Sequence, residues 1–384
     1  MAQQYSIAQM AEPLHPEAAQ TTGAGRADRS RTTAIRPFVD KDMGQVLTLY
    51  HQVFGEQAAF AFRARWRWAQ QRNLCKEETY RWVLESGGRV VGFLATIPQP
   101  YWFGGATVVA HTPCDYMVHP AFRFHGISLM RTFFNTCPTC VSLDDVAATI
   151  QVTRWLGAKL VGRMIRYVKP LDGRAFASSP GWSRLPPVAR EAAVRAWDLW
   201  SQLRSHVLEA QPPITSLNEF DERFDRFARR LSRQVSAMPA RDRRFLKWRY
   251  GPSSPHAGRQ IAVMTDGTGE LAGYVIFYLS RLTDRPGYIL DLQTLSPVRG
   301  LVGPLLLHHA IRHLREEGAS KVCYPWYPSP CAVPEDALRR SGFIARGGLH
   351  LLVRVKDEQA TLSNTWSGRW SLSYGDMEAS HAVV

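Results

Sequence analysis

The sequence predicts an α/β (α+β) protein built from two successive halves, each a mixed, mostly antiparallel twisted sheet flanked by helices. Three observations carry this. The chain has 384 residues, more than one ordinary core holds. One order of strands and helices runs twice, with a repeat of about 150 residues. In each run a tryptophan-bearing helix precedes a hairpin whose second strand opens on a glycine, Val90-Val91-Gly92 in one and Ala272-Gly273-Tyr274 in the other.

In the first run a strand over 34–39 leads to Asp40, a helix N-cap, and Val46, Leu47, Leu49, Tyr50 and Val53 follow at helical spacing. Phe62, Trp66 and Trp68 mark the next helix. Strands are expected over 80–85, 90–97 and 106–118, then a loop from Pro120 to His125 and a helix over 127–135. A strand over 140–143, a helix over 146–156 stopped by Gly157, and a strand over 159–168 close the unit. The second run repeats the order. Its strands fall at 214–220, 260–265, 271–279, 287–295 and 321–326, and its helices run from Asp221 to Leu231 and over 243–250, 301–317 and 334–340, before strands that end at Val355.

These readings divide the chain into a disordered tail over 1–31, a first domain over 32–170, a helical connector over 171–213, a second domain over 214–356 and a flexible tail over 357–384. One connector helix is expected over 188–209, with Trp197 and Trp200 facing a domain. Trp366 and Trp370 are unusual for a tail and point to docking on the body.

Hydrophobic residues at 45% and charged residues at 21% describe a globular protein rather than a disordered one. The formal charge of +14 favours anionic partners. The arginines are spread out rather than run together, which reads as solvated helix faces. Nucleic acid is therefore not favoured but stays open. Six cysteines make no disulfide framework. Cys137-Pro138-Thr139-Cys140 follows a helix instead of opening one, and a single pair cannot complete a four-ligand zinc site, so no metal is expected. Neither a signal peptide nor a membrane span is read, and the cytoplasm is the expected location.

The most informative stretch runs Tyr116-Met117-Val118-His119-Pro120-Ala121-Phe122-Arg123-Phe124-His125-Gly126-Ile127-Ser128. A helix N-terminus exposes unpaired N–H groups and about half a positive charge, which suits a diphosphate. Gly126 lets the backbone approach an anion closely, Ser128 is small, and Arg123 adds a cation. Arg123-x-x-Gly126-x-Ser128 resembles the cofactor loop of the GNAT (GCN5-related N-acetyltransferase) superfamily, R/Q-x-x-G-x-G/A, with serine in place of the last small residue.

The resemblance covers about 34–168 and 214–355 and is sharp only around Arg123. It implies two GNAT-like domains in tandem, with acetyl-CoA or another acyl-CoA held by Met117, Val118, Arg123, Phe124, His125, Gly126, Ile127 and Ser128. It implies acyl transfer to a primary amine, on a small molecule or a peptide, by direct attack. The strands at 106–118 and 140–143 would splay around the donor, and the N–H near Met117 would polarise the thioester. For the base, Asp115 is the nearest match, with His111, His119, Asp144 and Asp145 as further candidates. Many family members carry a tyrosine acid where this chain has Thr153. The second copy's loop, Leu295 to Pro304, has the wrong Arg299-to-Gly spacing, and Pro304 lacks a donor N–H, so only Asp291 keeps a candidate role there. Two other readings stay open: a FemAB-like transferase using aminoacyl-tRNA, and a tandem binding module without catalysis.

Overall fold

The structure, a computed structural model, describes residues 32–176, 182–204, 213–295, 300–356 and 369–377. The tail expected over 1–31 lies outside these residues. The first half runs β1 (Thr33–Pro37), α1 (Met43–Phe54), α2 (Glu56–Trp66), β2 (Arg81–Ser86), β3 (Arg89–Phe103) and β4 (Ala106–Val118), then α3 (Gly126–Thr136), β5 (Thr139–Asp144), α4 (Ala147–Trp155) and β6 (Lys159–Pro170). Helix α5 (Pro187–Arg204) connects it to β7 (Ile214–Leu217), α6 (Glu222–Ser232), β8 (Ala237–Pro239) and α7 (Arg243–Tyr250). The chain continues through β9 (Gln260–Thr265), β10 (Leu271–Leu279), β11 (Gly287–Thr294), α8 (Val302–Glu316), β12 (Lys321–Trp326), α9 (Glu335–Arg340) and β13 (Ile344–Val355).

Local chemistry sets these elements. Asp221 accepts the Arg223 N–H at 2.9 Å and starts α6, whose Phe224, Phe227, Ala228 and Leu231 form one buried face at helical spacing. Asp242 caps α7 through the Phe245 N–H at 2.7 Å. Leu349, Leu351, Leu352 and Val353 are buried on both faces of β13, the signature of a central strand.

All strands join one 13-stranded sheet, ordered β1-β2-β3-β4-β5-β13-β6-β12-β11-β10-β9-β7, with β8 against β3. The order is the same read inward from either edge. Each half is antiparallel until one parallel pair, β4 with β5 or β11 with β12. The expectation that β6 closes the first half does not hold. Instead β6 lies between β12 and β13, and β13 lies between β5 and β6. Each half thus sends its last strand to the other half's parallel edge, and the two exchanged strands pair antiparallel at the centre.

Helices α1, α2, α6 and α7 share one face of the sheet and one core. Helices α3 and α8 cover the opposite face in separate cores. Where the halves meet, Trp68 stacks on Trp248 at 4.9 Å with an interplanar angle of 10°, and its indole N–H donates to the Trp248 carbonyl at 2.8 Å. The tryptophans at 66, 68 and 248 are buried anchors.

The flexible tail expected over 357–384 is corrected for residues 369–377, which pack into the shared core; Trp366 lies outside the described residues. Trp370 is 1% exposed and meets Phe103 edge-on at 5.3 Å. Tyr374 stacks on Tyr288 at 5.5 Å, beside the last parallel pair of β11 and β12, Tyr288 with Cys323. Asp376 pairs with the fully buried Arg241, which also holds Asp291 at 3.2 Å. Arg249 donates to the carbonyls of Gly375 and Met377. Two buried guanidiniums are thereby balanced by two buried carboxylates, and one of these comes from the tail.

Asp376→Asn leaves Arg241 and Arg249 facing Asp291 alone. The expected loss is about 3–5 kcal/mol, read as a lower denaturant midpoint with an unchanged slope. A midpoint equal to wild type would show that Asp376 is dispensable as a counter-ion.

Candidate functional site

The first half opens where β4 and β5 part. They pair only at His111 with Cys140 and then diverge. The divergence starts beside a β-bulge in which Asp115 and Tyr116 together oppose Leu94. Asp115 takes φ 51, a left-handed conformation rare outside glycine, and this turns its side chain toward α2.

The bulge decides which candidates are free to act. Asp115 is buried in an ion pair with Arg65, so its carboxylate is committed to the α2 layer. His111 is fully buried, with Nδ1 3.3 Å from the Thr139 carbonyl and Nε2 3.1 Å from that of Glu78. Burial lowers its pKa, and with both nitrogens against main-chain carbonyls the ring is a buried structural group. The His119 Nδ1 accepts the Ala121 N–H at 3.3 Å and caps the short 3-10 turn over Pro120–His125. Thr153 is the buried residue of α4.

Asp144 ends β5 on the open side of the divergence. Its Oδ1 accepts the Val146 N–H at 2.8 Å, and burial pushes its pKa up to about 6, with nearby Asp145 adding to the rise. A carboxyl group titrating there is suited to take a proton near neutral pH.

The His119 N–H donates to Val91 at 2.8 Å, and Met117 pairs with Phe93. The alternation of an antiparallel ladder then directs the Met117 N–H toward β3 and that of Val118 toward the gap beside β5. Near Met117, the main-chain N–H that faces the gap is thus that of Val118.

Helix α3 begins at Gly126 without a side-chain cap. Its first amide is used within the turn, donating to the Arg123 carbonyl. The amides of Ile127 and Ser128 follow in the first turn, which carries no side-chain cap. Gly126 is buried, and a Cβ there would run into the Tyr116 hydroxyl, with Val118 3.6 Å away. Its own neighbours therefore leave little room for a larger side chain here. Arg123, Phe124, Ile127 and Ser128 are exposed, and the Arg123 guanidinium lies 5.1 Å from the centre of the Phe124 ring. His125 turns inward, its Nδ1 3.2 Å from the Thr33 hydroxyl.

The matching position in the second half is closed. Asp291 is fully buried and bound by Arg241, Tyr274 and Gln293. The segment 369–377 packs beside it, through the Ser371 hydroxyl on Gln293 at 2.8 Å. Residues 296–299 of the second loop lie outside the described residues. Cys137 and Cys140 are buried thiols, and hydrogen bonding and burial push the Cys137 pKa up, the reverse of a reactive dithiol. Among the described residues no group of three or more His, Cys, Asp or Glu is placed to hold a metal.

Residues 34–140 match the sequence profile of the acetyltransferase (GNAT) domain. No curated protein matches the chain in sequence. Several solved structures share its fold. An Enterococcus faecalis protein described as a probable N-acyltransferase is 12% identical with a TM-score of 0.57, over 85% of this chain and 72% of that one. A GCN5-related N-acetyltransferase from Kribbella flavida is 16% identical at 0.53, over 86% and 72%. Saccharomyces cerevisiae N-myristoyltransferase, solved with myristoyl-CoA and inhibitors, is 14% identical at 0.52, over 90% and 85%. Residues 34–140 therefore match a GNAT acetyltransferase domain, set in a fold that most of the chain shares with GNAT-related acyltransferases.

Proposed function

We propose that the protein is an acyl-CoA-dependent N-acyltransferase with one donor site, in the first half, and that it moves an acyl group, acetyl by default, to a primary amine. The observation that carries this is the coincidence of two features at one end of β4: strands that part after His111 and Cys140, and an uncapped α3 start. A diphosphate fits the Ile127 and Ser128 amides with Arg123 beside them. The Val118 N–H would polarise the thioester carbonyl of a donor lying between the strands. This favours a diphosphate-bearing donor over an aminoacyl-tRNA.

With Asp115 committed to Arg65, Asp144 is the carboxylate we assign as general base, taking the proton from the attacking ammonium. The freed amine attacks the thioester carbonyl, the C–S bond breaks to release the donor as its thiolate, and the nitrogen's second proton passes through solvent to that thiolate. The second half, with its cleft closed by the tail, serves as scaffold, and the tandem reading rests on the matching strand order of the two halves. Six free cysteines fit a reducing cytoplasm.

Calorimetric titration of coenzyme A and acetyl-CoA, with thiol release measured against a panel of amines, tests the reading; no binding of either together with no thiol release rejects it. Gly126→Ala should weaken acetyl-CoA binding about tenfold, because the new methyl meets the Tyr116 hydroxyl. Adding Tyr116→Phe removes that oxygen, leaves the ring carbon 3.4 Å away, and should restore most of the affinity. A double variant as weak as the single would place the glycine's role elsewhere.

Asp144 also makes a pH prediction. Its folded pKa of about 6 exceeds the ordinary 3.8, so its contribution to stability is complete below pH 3.8 and is lost as pH rises through 6. The loss is at most about 3 kcal/mol. Asp144→Asn, which keeps the acceptor for Val146, should flatten stability over this window. It should also abolish the acidic limb of kcat/KM near pH 6, and a limb that persists in the variant would assign the base to another group.

A further inference from the structure

Helix α5 presents the wrong face to solvent. Its inner side is clamped: Val194 and Ser201 are 2% and 1% exposed, and the Trp197 indole donates to the Gly342 carbonyl at 2.9 Å. Asp198 holds both Lys169 and Arg315 at 2.8 Å. Rotation about the helix axis is therefore fixed. Outward, Val188 is 80%, Leu199 60% and Leu203 67% exposed. At 3.6 residues per turn these three and exposed Ala192 fall within about 60° of one another. Trp200, 42% exposed, borders the stripe, and Leu185 just before the helix is 43% exposed. An ordinary surface helix is polar on this side.

The charges beside the stripe are of both signs, with arginines in excess. Arg174, Arg190 and Arg195 line a surface hollow of about 560 Å³ together with Val188 and Glu191. Asp172 pairs with Arg174 and Glu191 with Arg195, and exposed Arg184 lies one residue before Leu185, so the rim stays net positive. The whole chain carries +14.

A second copy is the poorer occupant. The 18 residues of α5 span roughly 27 Å, and a strip about 10 Å wide along them falls well short of the roughly 800 Å² per partner of a stable interface. Two such helices would also bring like charges together. An apolar stripe beside cationic side chains suits α5 to lie on a membrane surface, and no described helix is long and apolar enough to cross one.

We propose that α5 is an interfacial helix that docks the protein on an anionic lipid bilayer, with Val188, Leu199 and Leu203 entering the acyl boundary and the arginine rim meeting headgroup phosphates. The inference stands apart from the acyl-transfer reading, because α5 carries none of the residues assigned to it.

The test is flotation of the full chain with vesicles of phosphatidylcholine alone and of phosphatidylcholine mixed with phosphatidylglycerol, at low and high salt. Wild type should float with the mixed vesicles, much less with the neutral ones, and less at high salt. Leu199→Glu with Leu203→Glu should cut binding roughly tenfold or more while thermal unfolding stays as in wild type. Arg195→Gln should reduce the preference for phosphatidylglycerol. Equal flotation of the double-glutamate variant overturns the proposal, as does wild type that fails to float. Sedimentation showing a dimer that the double-glutamate variant dissolves would assign the stripe to a second copy instead.

Discussion

The antiparallel pairing of β6 with β13 is the constraint on which the rest of the molecule depends. It joins the two halves through backbone hydrogen bonds at the middle of the sheet. Because β13 lies beside β5, the first half's parallel edge is completed by the last strand of the second half. Because β6 lies beside β12, the second half is completed by the first. One wall of the gap between β4 and β5 is therefore held from behind by a strand the second half supplies. The second half shapes the candidate site through the sheet, even where its own cleft is filled.

Much of this was legible in the sequence. Element order could be read in both halves because the period of the apolar residues changes between strand and helix, and because Asp221, Gly157 and the glycine-opened hairpins punctuate it. The loop from Arg123 to Ser128 was readable because its chemistry is local: small residues and a cation at a strand-to-helix turn. The strand exchange was not. The sequence shows strands ending at Val355, but not that Leu349, Leu351, Leu352 and Val353 sit at the middle of the sheet or which strands flank them.

The site residues divide along the same line. Asp115 has the right residue type on the right strand, but a bulge turns it into a salt bridge with Arg65, a residue 50 positions earlier. That the amide facing the gap is that of Val118 depends on hydrogen-bond parity that the same bulge resets. Asp144 stood among the candidates without distinction until burial set its pKa apart. Trp370 hinted that the tail docks, and only packing revealed that Asp376 neutralises arginines buried far upstream.

The exchanged strands also impose an order on synthesis. Some 200 residues separate Asp144 at the end of β5 from Ile344 at the start of β13. At about 5–20 residues per second a ribosome needs roughly 10–40 s to make them. Throughout that interval β5 offers an unpaired edge, which is an invitation to nascent chains on neighbouring ribosomes. A polysome carrying this message is thus a setting in which one chain's β13 could complete another's β5, giving an entangled pair whose sheets are each locally correct.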